Sequence, residues 1–216
     1  MRGEGPVDFF WTGMIINPMD DLLRLLGDRK NSEGVFNPYQ DSRILNNLRI
    51  FFEVIREKNS GILFVGEAPG YLGARITGIP FTSGDVILSL SHPVFEGIRE
   101  RIFLCRIVSE RTASIFWKGM TDNRIIPVVW NAFPFHPHEP DKEMSNRRPA
   151  MSELEEGKVY LKMVIDLFKP EKIVGIGRVA EGVLKSFVKN VYYLRHPSRG
   201  GKMLFLEGLM ALLKGC

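Results

Sequence analysis

Glutamate, asparagine and histidine side chains stand beside glycine and proline in four short loops of this 216-residue chain. The loops are GEAPG (66–70), NAFPFHPH (131–138), GIGR (175–178) and RHPSRGG (195–201). Glu67 and His196 suit general acid–base catalysis, because partial burial or a neighbouring dipole can shift the pKa of either group. An equally good interpretation is structural, with Glu67 capping the following helix and His196 fixing a turn.

The four loops also raise the question of a metal or a nucleotide. His136 and His138, with His196 as a third ligand, have the composition of a metal site. No Asp or Glu stands at ligand spacing and Pro137 restricts how the rings converge, so solvated loop histidines are the favoured interpretation. GEAPGYLG lacks the P-loop lysine and GIGRVAEG lacks the third glycine of a dinucleotide fingerprint, so helix–strand packing explains these glycines better. The sequence therefore predicts neither a metal nor a cofactor.

Apolar segments that alternate with amphipathic ones must hold these loops. The pattern predicts strands at 62–65, 125–130, 172–176 and 190–194. It predicts helices at 20–27, 83–90, 152–170 and 178–188 and a last helix ending at 215. A further helix is predicted to begin at a cap, Asp41 or Ser42, and to end at 58. Ser152 and Glu155 have the spacing of a capping box. Such alternation produces a parallel sheet, which binds ligands where the strands end and the four loops lie.

The composition is that of an ordinary globular protein, with 44% apolar and 25% charged residues. Two cysteines exclude a disulfide framework and any site that needs four thiolates, which favours a reducing compartment. We recognise neither a signal peptide nor an apolar run of about 20 residues, and we expect a soluble, cytoplasmic protein that is not bound to membranes. The net charge of +4 permits binding to a polyanion. Basic residues concentrate in the loops NRRP (146–149) and RHPSRGGK (195–202), which indicates nucleic acid as the partner.

Four motifs taken together are more specific than any one of them. GEAPG (66–70), TGIPF (77–81), Asn131 in WNAFPFHPH and HPS (196–198) follow one another in the order and spacing of the uracil-DNA glycosylase superfamily. The chain resembles most closely its iron–sulfur, thermophile-type branch, whose first motif is also GEAPG. The resemblance extends from about residue 61 to 201 and is strong throughout 146–180.

The resemblance implies a fold and an activity. We expect an α/β three-layer sandwich in which helices flank a central four-stranded parallel sheet. Residues 61–216 would form this domain, and the helices of an N-terminal extension, 1–60, would pack on it as part of a single domain. The implied function is that of a monomeric, monofunctional DNA-repair glycosylase. It would hydrolyse the N-glycosidic bond of uracil or another deaminated base flipped out of single- or double-stranded DNA.

The resemblance also implies roles for the loop residues. Phe81 would stack on the flipped base, although a core position is the alternative. Asn131 would bind the uracil edge, whose N3–H and O4 match one donor and one acceptor of an amide, unless it only closes a turn. His196 and Glu67 would be catalytic. The base would also contact Gly66 and Ala68, and DNA would contact Arg195, Ser198, Arg199 and Lys202.

The departures from that branch concern its metal cluster and its water-activating acid. The later two cluster cysteines of the branch would fall near Phe135 and Gly157, and residues 1–60 contain no cysteine. The cluster must therefore be absent, and Phe135 would fill part of its space. Ala68 stands where the founding branch of the superfamily has the aspartate that handles water. A catalytically weak or inactive DNA-binding protein is therefore the alternative function.

Overall fold

The computed structural model describes residues 17–214. The helices are α1 (Pro18–Asp28), α2 (Ser42–Arg56), α3 (Ala74–Thr77), α4 (Gly84–Ser89), α5 (Pro93–Ile98), α6 (Arg111–Asp122), α7 (Met151–Phe168), α8 (Arg178–Lys185) and α9 (Lys202–Lys214). The strands are β1 (Val35–Phe36), β2 (Ile62–Gly66), β3 (Val128–Asn131), β4 (His136–Pro137), β5 (Lys172–Ile176) and β6 (Tyr192–Leu194), and a short 3-10 helix covers Pro38–Gln40.

The centre of the fold is a parallel sheet with the strand order β3-β2-β5-β6. Strand β2 is buried along its whole length because it lies inside the sheet and both of its faces are covered. This explains why its sequence, Ile62–Gly66, is a continuous apolar run rather than an alternating one. The predicted α/β fold with a four-stranded parallel sheet is confirmed.

Helices cover both faces of this sheet. Phe64 of β2 packs against Phe116 of α6 with ring centroids 5.6 Å apart, and Phe205 of α9 joins Phe116 on that face. Trp130 of β3 lies one register position farther along and therefore points to the opposite face. There it packs against Phe52 of α2 at 5.9 Å. The sheet is thus the middle layer of three.

The sheet register brings the predicted loops together. Gly66 and Asn131 are register partners at the carboxyl ends of β2 and β3. Beyond the strands, the pairing continues as the Ala132 and Phe133 amides donate to the carbonyls of Gly66 and Glu67. At the other side of the sheet, the Gly177 amide donates to the carbonyl of Leu194. All four loops therefore meet at one edge.

A second, two-stranded sheet joins distant parts of the chain. Strand β1 pairs antiparallel with β4, so that Val35 lies opposite Pro137 and Phe36 opposite His136. The sequence pattern did not reveal this pairing, because each strand has only two residues. The pairing fixes the loop that follows Asn131 against the N-terminal part of the chain.

Several predicted boundaries differ from the structure. The strand predicted at 125–130 is β3, which begins only at Val128, after Pro127, which has no amide N–H to donate. The predicted capping box of Ser152 and Glu155 is wrong. Helix α7 begins one residue earlier, and Glu153 accepts the Ala150 amide at 2.7 Å. Helices α3, α5 and α6 had not been predicted.

Within residues 17–214, no helix is long and apolar enough to cross a membrane. Helix α1 contacts both α2 and α7. The division of the chain at residue 60 stays a prediction.

Candidate active site

A cavity of about 710 Å³ opens at the edge where the four loops meet. Of the ten residues predicted to form the site, Lys202 alone does not line it; it is exposed at the start of α9. The cavity wall includes Gly66, Glu67, Ala68, Phe81, Asn131, Arg195, His196, Ser198 and Arg199. The structure therefore collects nine of the predicted residues around one space. Their chemical roles stay predictions.

Gly66 allows two of these side chains to approach the first loop closely. A Cβ atom at this position would lie 2.6 Å from Phe81 Cζ and 2.8 Å from Asn131 Oδ1. Cβ atoms essentially never come within 3.0 Å of another heavy atom. Glycine is therefore required here by space rather than by backbone conformation.

Phe81 is held in a backbone conformation that L residues seldom adopt, with φ at 57°. Such a conformation costs about 1–3 kcal/mol, which the surrounding structure must offset. Its ring stacks on Phe116 with centroids 4.6 Å apart and an interplanar angle of 18°. The Phe81 side chain also lines the cavity, where a flat ligand can contact it.

Asn131 is only 4% exposed, yet its side-chain amide contacts no hydrogen-bonding partner within residues 17–214. The atoms of this amide are open to the cavity, because the buried side-chain atoms without a partner in the described part of the chain are Arg75 Nε, Ser83 Oγ and Trp130 Nε1. The amide therefore offers one donor face and one acceptor face to whatever enters the cavity.

His196 has a defined tautomer. The backbone N–H of Ser198 donates to His196 Nδ1 at 3.2 Å, and Ser198 Oγ lies 2.8 Å from the same atom. Because Nδ1 accepts, the proton of the neutral ring must sit on Nε2. Burial lowers the pKa of His196, an effect that Glu110 opposes and the charges of Arg195 and Arg199 reinforce. In its neutral form the ring therefore presents Nε2–H as a donor, which has no hydrogen-bond partner within residues 17–214.

The loop after His196 turns sharply. The Gly201 amide donates to the Ser198 carbonyl at 3.0 Å, and Arg199 and Gly200 between them have φ values of 50° and 78°. Two consecutive positive φ angles are the pattern of a type I′ turn. A Cβ on Gly201 would collide with the carbonyl oxygen of His196. The turn leaves Arg199 exposed at its tip, whereas Ser198 is engaged with the imidazole.

Glu67 lies among positive charges. Burial raises the pKa of the Glu67 carboxyl above its usual value, while Arg148 and Arg199 act in the opposite direction. Its carboxylate has no hydrogen-bond partner in the part of the chain that the structure describes. Glu67 is therefore placed at the cavity but is not held in one orientation there.

The structure adds cavity residues that the sequence did not single out. Glu110 and Thr112 come from the start of α6, and Asn146 and Arg148 come from the segment already noted as basic. Arg147 next to them is structural, because it pairs with Glu153 at 2.6 Å. Without a predicted helix at 111–122, nothing in the sequence marked Glu110 as a residue of this edge.

The interpretation of His136 and His138 as solvated loop residues is wrong, because both are buried. Their rings stack 5.8 Å apart, and the nitrogens of His136 lie 2.8 Å from the Pro69 carbonyl and 3.2 Å from the Glu143 carbonyl. No group of three His, Cys, Asp or Glu side chains is arranged to hold a metal among residues 17–214.

The positions of the missing cluster cysteines do not fit an iron–sulfur cluster. Phe135 is fully buried and packs edge-on against Tyr39, Phe133 and Tyr160. A Cβ at Gly157 would collide with the carbonyl of Ala132, so a cysteine has no room there. The chain also has two cysteines where a cluster needs four thiolates.

Comparison with known proteins identifies the family and the fold of the chain. The family model described as the uracil DNA glycosylase superfamily matches residues 52–205. The crystal structure of wild-type SMUG2 from Pedobacter heparinus superposes with a TM-score of 0.68 at 14% identity, covering 93% of this chain and 98% of that one. At such low identity the superposition shows a shared fold. No curated protein matches the sequence.

Proposed function

The chain belongs to the uracil DNA glycosylase superfamily, and we propose that it hydrolyses the N-glycosidic bond of uracil or another deaminated base in DNA. The enzyme would flip the nucleotide into the cavity, which costs about a few kcal/mol of lost stacking and pairing. It would act as a monomer and without a cofactor. It would be cytoplasmic, and associated with the nucleoid or nuclear when it acts on DNA. Within the superfamily, GEAPG favours a position beside the iron–sulfur branch, although the cluster residues are missing.

Recognition of the base would rest on Asn131 and Phe81. The unpaired amide of Asn131 suits the adjacent N3–H and O4 of uracil, and cytosine presents the reverse pattern. A buried site that meets the wrong pattern leaves polar groups unpaired, which rejects the wrong base strongly. Phe81 would stack on the flipped base through the face of its ring that does not contact Phe116.

Departure of the base would rest on His196. As the bond breaks, negative charge develops on the base and positive charge on the sugar. The neutral imidazole would donate its Nε2–H to the base oxygen, and one such donor is worth roughly 3 kcal/mol in the transition state. Glu67 would orient water or stabilise the oxocarbenium-like sugar.

Binding to DNA would rest on the positively charged rim of the cavity. Arg148 and Arg199 are exposed and Arg195 lies beside them, so phosphates can reach all three. Phosphate contacts release counterions, and the affinity should therefore fall with salt. Arg199, at the tip of its turn, or the exposed Met203 would fill the gap that a flipped nucleotide leaves.

The observation that carries this proposal is that one cavity is lined by Asn131 and His196, whose side-chain amide and Nε2–H have no hydrogen-bond partner within residues 17–214. The test incubates the protein with oligonucleotides that contain uracil, hypoxanthine, xanthine or an oxidised pyrimidine, followed by alkali and gel analysis. On the best substrate, His196→Ala should slow single-turnover base release about a hundredfold and leave DNA affinity unchanged. His138→Ala, which removes a buried imidazole outside the cavity, is the control. An H196A variant as fast as the parent would refute the proposed site.

A further inference from the structure

Glu110 brings a second carboxylate to the cavity, on the wall formed by the start of α6. Its Cγ lies 3.5 Å from where a Cβ on Gly73 would be, so it packs against the segment that follows the first loop. Its negative charge also acts on the imidazole of His196, although the two side chains make no hydrogen bond. Glu110 and His196 therefore line the same cavity, and the charge of one acts on the other.

Two backbone amides fix the orientation of this carboxylate. The Thr112 N–H donates to Glu110 Oε1 at 2.9 Å, and the Ala113 N–H donates to Oε2 at 2.7 Å. A carboxylate has about four lone-pair sites, so each oxygen keeps one for another donor. Capping alone would not demand this residue, because Ser, Thr, Asp and Asn are the preferred N-caps. The longer side chain of glutamate both caps the helix and reaches the cavity.

The two cavity carboxylates, Glu67 and Glu110, differ in how firmly they are held. The Glu67 carboxylate accepts no hydrogen bond within residues 17–214. The positive charges of Arg148 and Arg199 act on it and lower its pKa, against the effect of burial. Glu110 is held by two bonds and lies near His196. A group that positions a water for attack must itself be held rigidly in place. Ala68, which stands at the position of the founding branch's aspartate, cannot do so.

We propose that Glu110 is a further catalytic residue, which holds the attacking water and accepts its proton. The inference rests on the proposed glycosylase function. As the bond between C1′ and the base nitrogen breaks, its electron pair leaves with the base. The water oxygen bonds to C1′, and one water proton passes to the Glu110 carboxylate. The base anion, stabilised by the His196 Nε2–H, takes a proton from solvent, and Glu110 later returns its own to solvent.

The test separates this role from helix capping. Glu110→Ser keeps a side-chain oxygen that can cap α6 but removes the carboxylate. We expect single-turnover base release to slow about a hundredfold, as for the loss of a general base. The melting temperature and the affinity for DNA should stay near the parent values. Added formate should restore part of the rate in Glu110→Ala, because a small carboxylate can occupy the space left behind.

The control is Asp41→Ser, which replaces the capping carboxylate of α2, remote from the cavity lining, and should leave the rate unchanged. If Glu110→Ser does not fold, Glu110→Gln takes its place, since its amide oxygen still accepts one amide. If a folded E110S or E110Q variant releases base at the parent rate, the proposed role of Glu110 is overturned, but the proposed glycosylase function is not. A parent protein that releases no base from any lesion overturns the proposed function and this inference together.

Discussion

Replacing Gly66 by alanine tests whether the cavity geometry controls catalysis. The added methyl group would lie 2.6 Å from Phe81 Cζ and 2.8 Å from Asn131 Oδ1, whereas ordinary contact begins at 3.4 Å. The Phe81 ring cannot yield easily, whereas the Asn131 amide can rotate, but only by leaving the orientation proposed to read the base. The Phe81 ring is held against Phe116, and Asn131 is the last residue of β3, paired in register with Gly66 itself.

The size of the effect follows from these distances. Ordinary contact requires Phe81 Cζ to retreat by roughly 0.8 Å (3.4 − 2.6) and Asn131 Oδ1 by roughly 0.6 Å (3.4 − 2.8). A misplacement of about 1 Å in a reacting geometry can cost on the order of a hundredfold in rate. We expect base release to slow between about tenfold and a hundredfold. Overpacking should also lower the free energy of unfolding by about 1–3 kcal/mol.

The assay is single-turnover base release on the best substrate, together with thermal unfolding and DNA affinity. Gly182→Ala is the matched control, since nothing lies within 4 Å of its added Cβ and the residue is exposed on α8. There the change should raise the free energy of unfolding by up to about 1 kcal/mol and leave the rate unaltered. If Gly66→Ala releases base as fast as Gly182→Ala, the positions of Phe81 and Asn131 do not control the reaction.

Three further predictions concern selectivity, DNA binding and pH. Asn131→Asp should shift preference toward bases with a donor in place of the uracil O4, which competition between lesions measures; unchanged preference would contradict base reading by this residue. Arg148→Ala combined with Arg199→Ala should weaken DNA binding and reduce the slope of log affinity against log salt by about two, and an unaltered slope would exclude phosphate contacts there. Burial lowers the pKa of His92 and His136 below the usual 6.5, so below that pH the unfolded chain binds protons that the folded one does not. The free energy of unfolding should therefore fall on acidification from pH 7.5 to 5, and chemical denaturation at both values checks this.

The sheet could be predicted because its strands carry a local signal. Ile62–Gly66 and Lys172–Ile176 are short apolar runs beside glycine, and parallel topology then dictates that their following loops share an edge. For this reason Glu67, Asn131 and His196 were brought together correctly without knowledge of any distance.

The remaining features depend on contacts between distant residues. No sequence pattern around Glu110 indicates that it belongs to the site, because its position in the cavity depends on where α6 packs on the sheet. The left-handed backbone of Phe81 and the burial of His136 are likewise set by neighbours far along the chain. Sequence patterns report periodicity within one element, and these features arise between elements.

The pairing of β1 with β4 has a consequence for the order of folding. Phe36 pairs with His136, one hundred positions later (136 − 36), a separation similar to the 110 positions (172 − 62) between Ile62 and Lys172 in the central sheet. We expect both long loops to close after local contacts have formed, so that the segment after Asn131 is fixed only when β1 has paired with it. During refolding, we expect helical circular dichroism to recover before the capacity to bind a base. A nick in the chain near β1 would loosen the cavity while leaving the central sheet intact.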